Sequence, residues 1–218
     1  MTLQLFGHPF SSYTWKVLIP LWANATPFEF RMVDPAHPDN GAELKRRWRF
    51  GQFPLLVDEG RTVAESTCII EHLDAHHPGP HRWIPDGELG RRVRLLDRIF
   101  DQRVMTNMNA VVWDALRPQE ERNPADRRVA RERLNTAYDW LDEDLDEGPW
   151  AVGEQFTLAD CAAAPSLFYA DWVEEIGPAR PRLAAYRARL LAHPAVARAV
   201  DEARPYRPYF PLGAPDRD

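Results

Sequence analysis

The stretch HHPGPHRWIPDG, residues 76–87, decides how the rest of the chain is read. Three prolines and two glycines in twelve residues interrupt any regular element, and the sequence changes character on either side. It reads as a linker over 78–87 between a first part, 1–77, and a second, 88–218. Upstream, β-like runs alternate with helical ones: strands at Leu3 to Phe6 and Phe28 to Val33, helices at Tyr13 to Asn24 and Ala42 to Arg49. Pro54 precedes the strand Leu55-Leu56-Val57, the turn Asp58-Glu59-Gly60 and a short strand at Thr62 to Ala64, which together predict a hairpin. Helix returns at Ser66 to Ala75. The order βαβ then αββα predicts one four-stranded mixed sheet, because a strand–helix–strand unit crosses over right-handed and leaves its strands parallel. Downstream no strand is predicted. Apolar residues at helical spacing mark one long helix over Leu89 to Leu116 and another over Arg127 to Leu145. Shorter helices follow at Leu158 to Val173, Leu183 to Leu191 and Val196 to Ala203, with Pro181, Pro194 and Pro205 as punctuation. The tail from Pro205 to Asp218 reads as irregular structure packed on this bundle.

Composition narrows the function. The chain has 218 residues, is 44% hydrophobic, and carries 27 Lys plus Arg against 33 Asp plus Glu, for a net charge of −6. That acidic balance argues against general nucleic-acid binding, whose affinity comes largely from a basic face on phosphates. The cluster Arg46, Arg47 and Arg49 fits a solvated helix face. No apolar run approaches the roughly 20 residues that span a bilayer, and Met1 to Phe10 has no secretory pattern, so a cytoplasmic location without membrane partners is expected. Two cysteines, Cys68 and Cys161, are too few for a disulfide framework, and both read as small core residues.

Three segments could carry chemistry. Ser11-Ser12-Tyr13 lies between the first strand and first helix, where hydroxyls commonly cap orphan N–H groups. The same helix start, with about half a positive charge, would also stabilise a thiolate or other anion. Phe53-Pro54 stands at the mouth of a hairpin strand. A cis proline there would turn the backbone of Phe53 outward to pair with an extended peptide, whereas an edge-strand proline would not. Glu65-Ser66 opens the third helix: Ser66 as cap could present a carboxylate site, and Glu65 could accept an ammonium group. In a parallel arrangement all three fall at one end of the sheet and describe a groove for a short zwitterionic peptide. His72 and His76, four apart with His77 and His81 nearby, have metal-ligand spacing. Structural use is the reading preferred, since histidines at a helix C-terminus are favoured by its dipole, and no metal is expected.

The segments LFGHPFSSYTWKV (5–17), GQFPLLVD (51–58) and ESTCIIEHL (65–73) resemble the glutathione-site segments of the soluble glutathione transferases, and the S-S-x-x-W-K-V portion is closest to serine-using zeta-type members. FTLADC at 156–161 resembles the start of that superfamily's buried sixth helix, with Thr157 and Asp160 as a capping-box pair. The resemblance covers the whole chain. It implies a thioredoxin-like α/β domain followed by an all-α bundle, with glutathione as cosubstrate and a homodimer.

The resemblance also implies roles by position. Ser11 would hold the glutathione sulfur as thiolate, with Ser12 and Tyr13 as alternates. Gln52 and Phe53, before a cis Pro54, would contact the peptide, and Glu65 and Ser66 would hold its γ-glutamyl head. Arg49, Lys45 and His37 are candidates for the glycyl carboxylate. Phe10, Val104, Met105, Met108, Val112 and Trp113 would line the pocket for a small hydrophobic electrophile. Two departures stand out: Pro20 inside the first helix, expected to kink or shorten it, and Tyr13 where the zeta-type motif has cysteine, so that class's isomerase chemistry is not carried over. The implied activity is a detoxification-type transferase, by conjugation or by glutathione-dependent reduction or dehalogenation. A non-catalytic glutathione-binding or scaffold protein is the alternative, and a disulfide reductase a third reading. The cysteine-free segment 11–13 would oblige that reductase to work through mixed disulfides on glutathione itself.

Overall fold

The computed structural model describes residues 3–145 and 147–217; Met1, at the head of the segment expected to lack a secretory pattern, and Asp218, at the end of the expected tail, lie outside them. The first part holds β1 (Leu3–Gly7), α1 (Ser12–Ala23), β2 (Phe28–Met32), α2 (Pro38–Arg47), β3 (Leu55–Asp58), β4 (Arg61–Ala64) and α3 (Ser66–His76). Its sheet runs β2-β1-β3-β4: β1 and β2 are parallel, β3 is antiparallel to β1, and β4 closes a hairpin on β3. This is the expected four-stranded mixed sheet with helices on both faces. Leu5 and Leu56, cross-strand partners, point to the side covered by Val17, Leu21, Ile69 and Leu73 of α1 and α3. The alternate residues Phe6, Leu55 and Val57 meet Leu44 of α2 on the other face, as a period of two requires.

The second part is all helical: α4 (Gly87–Ile99), α5 (Thr106–Leu116), α6 (Pro124–Asp144), α7 (Leu158–Val173), α8 (Pro181–Ala192) and α9 (Pro194–Ala203), with short 3₁₀ turns at Gln119–Glu121 and Arg204–Tyr209. Every residue of α7 is buried, so it forms the axis of the bundle. Asp160 completes the expected capping box with Thr157 and also accepts from the Tyr186 hydroxyl at 2.7 Å. Trp15, Ile19 and Ile70 from the sheet part join this core, so α1 packs on α7 and the two parts share one apolar interior.

Several expectations are corrected. The helix over Leu89 to Leu116 is interrupted by a π-helical segment, Phe100–Met105, whose wider turn shifts the helical phase of the residues C-terminal to it. That segment packs against α7, which holds Val104 and Met105 in the bundle core at 0% and 1% exposure. The α1 helix continues through Pro20 to Ala23. The proline removes only one bond near the helix end, and the Asn24 N–H then donates to the Pro20 carbonyl. Helices α2, α6, α8 and α9 start earlier than expected, each with a proline in its first turn, where the missing N–H costs nothing. Cys161 is buried as expected, but Cys68 is exposed. The tail takes a 3₁₀ turn before Phe210 enters the core.

Candidate active-site cleft

A cleft of about 840 Å³ lies between the two parts. One wall comes from three junctions of the sheet part, Phe10 to Tyr13, Gly51 to Pro54 and Glu65 to Cys68. The other comes from α4, the π segment and α5, with Tyr169 of α7 and Tyr209 to Pro211 of the tail.

The first junction is fixed by close packing. A side chain on Gly7 would place its Cβ 2.6 Å from Thr14, so glycine lets α1 start tight against the end of β1. The connecting loop is held from both parts: Trp15 Nε1–H of α1 donates to the Pro9 carbonyl at 2.5 Å, and the Tyr169 hydroxyl of α7 donates to the Phe10 carbonyl at 3.0 Å. Ser11 is the N-cap of α1, its oxygen accepting from the Thr14 N–H at 3.3 Å. A hydroxyl that accepts in this way keeps its own O–H to donate. Tyr13 is half-buried, and its phenol is pushed up to about 12, by burial first and then by the carboxylates of Asp101, Glu65 and Asp97. At neutral pH it is a donor and not a base.

At the second junction the Phe53–Pro54 peptide is cis, and both residues line the cleft beside exposed Gln52. At the third, Glu65 and not Ser66 is the cap of α3. Its φ of 67° lies in the left-handed region, its side chain makes no capping bond, and the first-turn N–H groups of α3 are left without a side-chain cap. Such a conformation costs about 1 kcal/mol or more in a non-glycine residue and clusters at ligand-binding positions. Ser66 is then the first helical residue and is buried.

On the opposite wall Met108, Val112 and Trp113 face the cleft with Phe10, whereas Val104 and Met105 are turned into the bundle core by the π segment. Arg49, Lys45 and His37 do not line it; His37 stands at the N-cap position of α2 without a side-chain capping bond and pairs instead with Asp34 at 2.7 Å. Residues that sequence reasoning missed include Asp101, Asn109 and Tyr169 on the cleft wall and Lys16 beneath it. Lys16 is 1% exposed, bonds Asp97 at 2.6 Å and Asp101 at 2.7 Å, and donates to Thr67 at 2.9 Å. Thr67 in turn donates to Asp97 at 3.0 Å. A lysine inside the apolar run Trp15 to Leu21 was the available signal, since an unpaired buried cation is too costly to keep.

Fold and cleft together define a thioredoxin-like sheet domain joined to a helical bundle, with a pocket shared by both. Residues 5–81 match the glutathione S-transferase N-terminal domain and residues 95–189 the glutathione S-transferase C-terminal domain. The chain belongs to the glutathione S-transferase superfamily. It is 28% identical over 216 residues to a probable maleylacetoacetate isomerase of Vibrio cholerae, covering 94% of this chain and 98% of that one. It is 29% identical over 200 residues to human glutathione S-transferase theta-2B, covering 88% and 82%. Among solved structures, a glutathione S-transferase from Methylobacterium radiotolerans in complex with glutathione sulfonate superposes with a TM-score of 0.79 at 25% identity, over 92% of this chain and 95% of that one. Among the described residues no helix is long and apolar enough to cross a membrane.

Proposed function

We propose that the chain binds glutathione in this cleft and activates its thiol as thiolate for attack on a small apolar electrophile. The observation that carries this is the Ser11 geometry: a hydroxyl that caps α1 through its oxygen and keeps its proton for an anion beside the helix start. A free thiol with a pKa near 8.5 needs about 2.7 kcal/mol of preferential anion stabilisation to titrate about two units lower. A hydrogen bond to a charged group contributes about 1.5–3 kcal/mol and a helix N-terminus about 0.3–1 kcal/mol, which together reach that figure.

In this reading Ser11 donates to sulfur, with Ser12 and the protonated Tyr13 as alternates. The backbone of Phe53 and the side chain of Gln52 hold the cysteinyl unit, and the open first turn of α3 at Ser66 takes the γ-glutamyl carboxylate, with Glu65 on the ammonium. Phe10, Met108, Val112 and Trp113 receive the electrophile. The division into a glutathione-binding domain over 1–77 and a helical domain over 88–218, a homodimer and a cytoplasmic location belong to the same reading. So does serine use of the zeta type, to which the likeness to a probable maleylacetoacetate isomerase lends support. Tyr13 stands where that motif has cysteine, so isomerase chemistry is not part of the proposal.

Titration of the chain with glutathione, followed by thiolate absorbance and by turnover on a panel of aryl halides, epoxides and disulfides, tests it. Saturable binding with a growing thiolate band is expected, and Ser11→Ala should lower turnover roughly 10²-fold while leaving glutathione retention nearly unchanged. Failure to bind glutathione overturns the reading. Binding without turnover on any electrophile replaces it with a scaffold role, and unchanged turnover in Ser11→Ala transfers the sulfur contact to Ser12 or Tyr13.

A further inference from the structure

The opposite end of α3, away from the cleft, carries a second cluster. Asp58 ends β3, His72 sits on α3, and His77 is the residue that terminates that helix. Both imidazoles place Nε2 2.8 Å from the same oxygen, Oδ2 of Asp58, and the three donor atoms lie within 4.8 Å of one another. The spacing of five would put His72 and His77 about 140° apart around a continuing helix, since each residue turns about 100°. They meet because the helix stops at His76: His77, at φ −131° and ψ 55°, leaves the helical path. The His76 ring meets that of His72 at a tilt of 41°, with centres 4.4 Å apart, at the solvent edge. The cluster is sheltered at His72 (8% exposed) and Asp58 (13%) and open at His77 (31%), so it has an entry side.

We infer that Asp58, His72 and His77 form a binding site for one divalent transition-metal cation of the zinc class, fastening the end of α3 to the β3–β4 hairpin. Two imidazole nitrogens and one carboxylate suit zinc, cobalt or nickel, whereas calcium and magnesium require oxygen-dominated shells. Ligand bonds of about 2.0–2.1 Å in a tetrahedron separate the donor atoms by roughly 3.3 Å. The present 2.8 Å contacts need to open by about half an ångström, which side-chain rotation supplies. Neutral imidazoles enter by moving the ring proton from Nε2 to Nδ1 through solvent, so the cation displaces two hydrogen bonds to Asp58 and the proton count is unchanged. Water, with His76 alongside, completes the shell. This site stands independently of the glutathione reading.

The test uses the untagged full-length chain, stripped with a chelator, without glutathione. Co²⁺ is titrated in and its ligand-field absorption followed, Zn²⁺ is used to displace it, and Mg²⁺ serves as the hard-cation comparison. One Co²⁺ per chain is expected, with nitrogen and oxygen ligation, displaced by Zn²⁺ and ignored by Mg²⁺, together with a Zn²⁺-dependent rise in Tm. His77→Gln and Asp58→Asn, each checked for folding by circular dichroism, should weaken binding by at least about tenfold, while Cys68→Ser should leave it intact. Stoichiometric binding that survives both variants, a sulfur-to-cobalt charge-transfer band, or no saturable binding by the unmutated chain each overturns the proposal. The last two are read on the unmutated chain, so a variant that fails to fold does not rescue the idea.

Discussion

The two ends of α3 are held by the same device with its charges exchanged. At the N-terminal end one lysine, Lys16, is shared between two carboxylates, Asp97 and Asp101, with Thr67 of α3 bridging. At the C-terminal end one carboxylate, Asp58, is shared between two histidines. The first cluster is almost dry and joins α1 and α3 to α4 and the π segment, so it pins the two walls of the cleft together. The second reaches the surface and joins α3 only to its own hairpin. Burial therefore sets both the strength and the reach of each tie.

Breaking the lysine tie should have the largest effect. Lys16→Met leaves two carboxylates facing one another under the cleft, and a loss of about 3–5 kcal/mol in urea unfolding is expected. A loss below about 1 kcal/mol would remove the claim that this cluster pins the walls. Thr67→Val keeps both ion pairs but deletes the hydroxyl that accepts from Lys16 and donates to Asp97. It should cost about 1–2 kcal/mol by the same measurement, and a neutral result would make the bridge incidental. Asp58→Asn should cost less, about 1 kcal/mol at neutral pH in the metal-free chain, because its partners are partly solvated.

The subtlest test is the sign of the pH response. Hydrogen bonds from His77 and then His72 hold the Asp58 carboxyl below its ordinary 3.8, outweighing its partial burial. Its stabilising contribution is therefore complete above about pH 3.8 and disappears as acid takes it through the lower folded value. Burial pushes the Asp101 carboxyl the other way, above 3.8, against the pull of Lys16. Its contribution therefore falls as pH climbs from 3.8 through the raised folded value. On acidification the unmutated chain should lose stability relative to Asp58→Asn and gain stability relative to Asp101→Asn. Parallel curves would erase the distinction between the two ends.

Much of the fold was legible because its signals are local. Short apolar runs in LQLFG and LLVD beside a turn, helical spacing after residue 88, and the capping box at Thr157 and Asp160 all depend on residues within a few positions. Where local reading fails, a tertiary contact overrules it or a proline outside the apolar pattern turns out to open the helix. Prolines at 38, 124, 181 and 194 begin helices, because a proline whose N–H would have no partner anyway fits the first turn. Met105 carries the composition of a pocket residue, but the π segment turns it toward α7. Cys68 sits among apolar neighbours in sequence, yet the face of α3 that it occupies borders the cleft. The spacing of four singles out His72 and His76, but it is His77 that the helix end brings with His72 onto Asp58.

Sequence by itself determined the order of strands and helices, the change from mixed to all-helical structure, and the three junctions rich in hydroxyl, proline and acidic groups. Those follow from backbone sterics and side-chain periodicity, which act over a turn or a hairpin. Tertiary structure decided which of those groups share a cleft, which face of the α4–α5 segment lines it, and that Lys16 meets carboxylates more than 80 positions away. Such pairings depend on how the sheet stacks on the bundle, and burying a charge is tolerable only where that stacking delivers its partner.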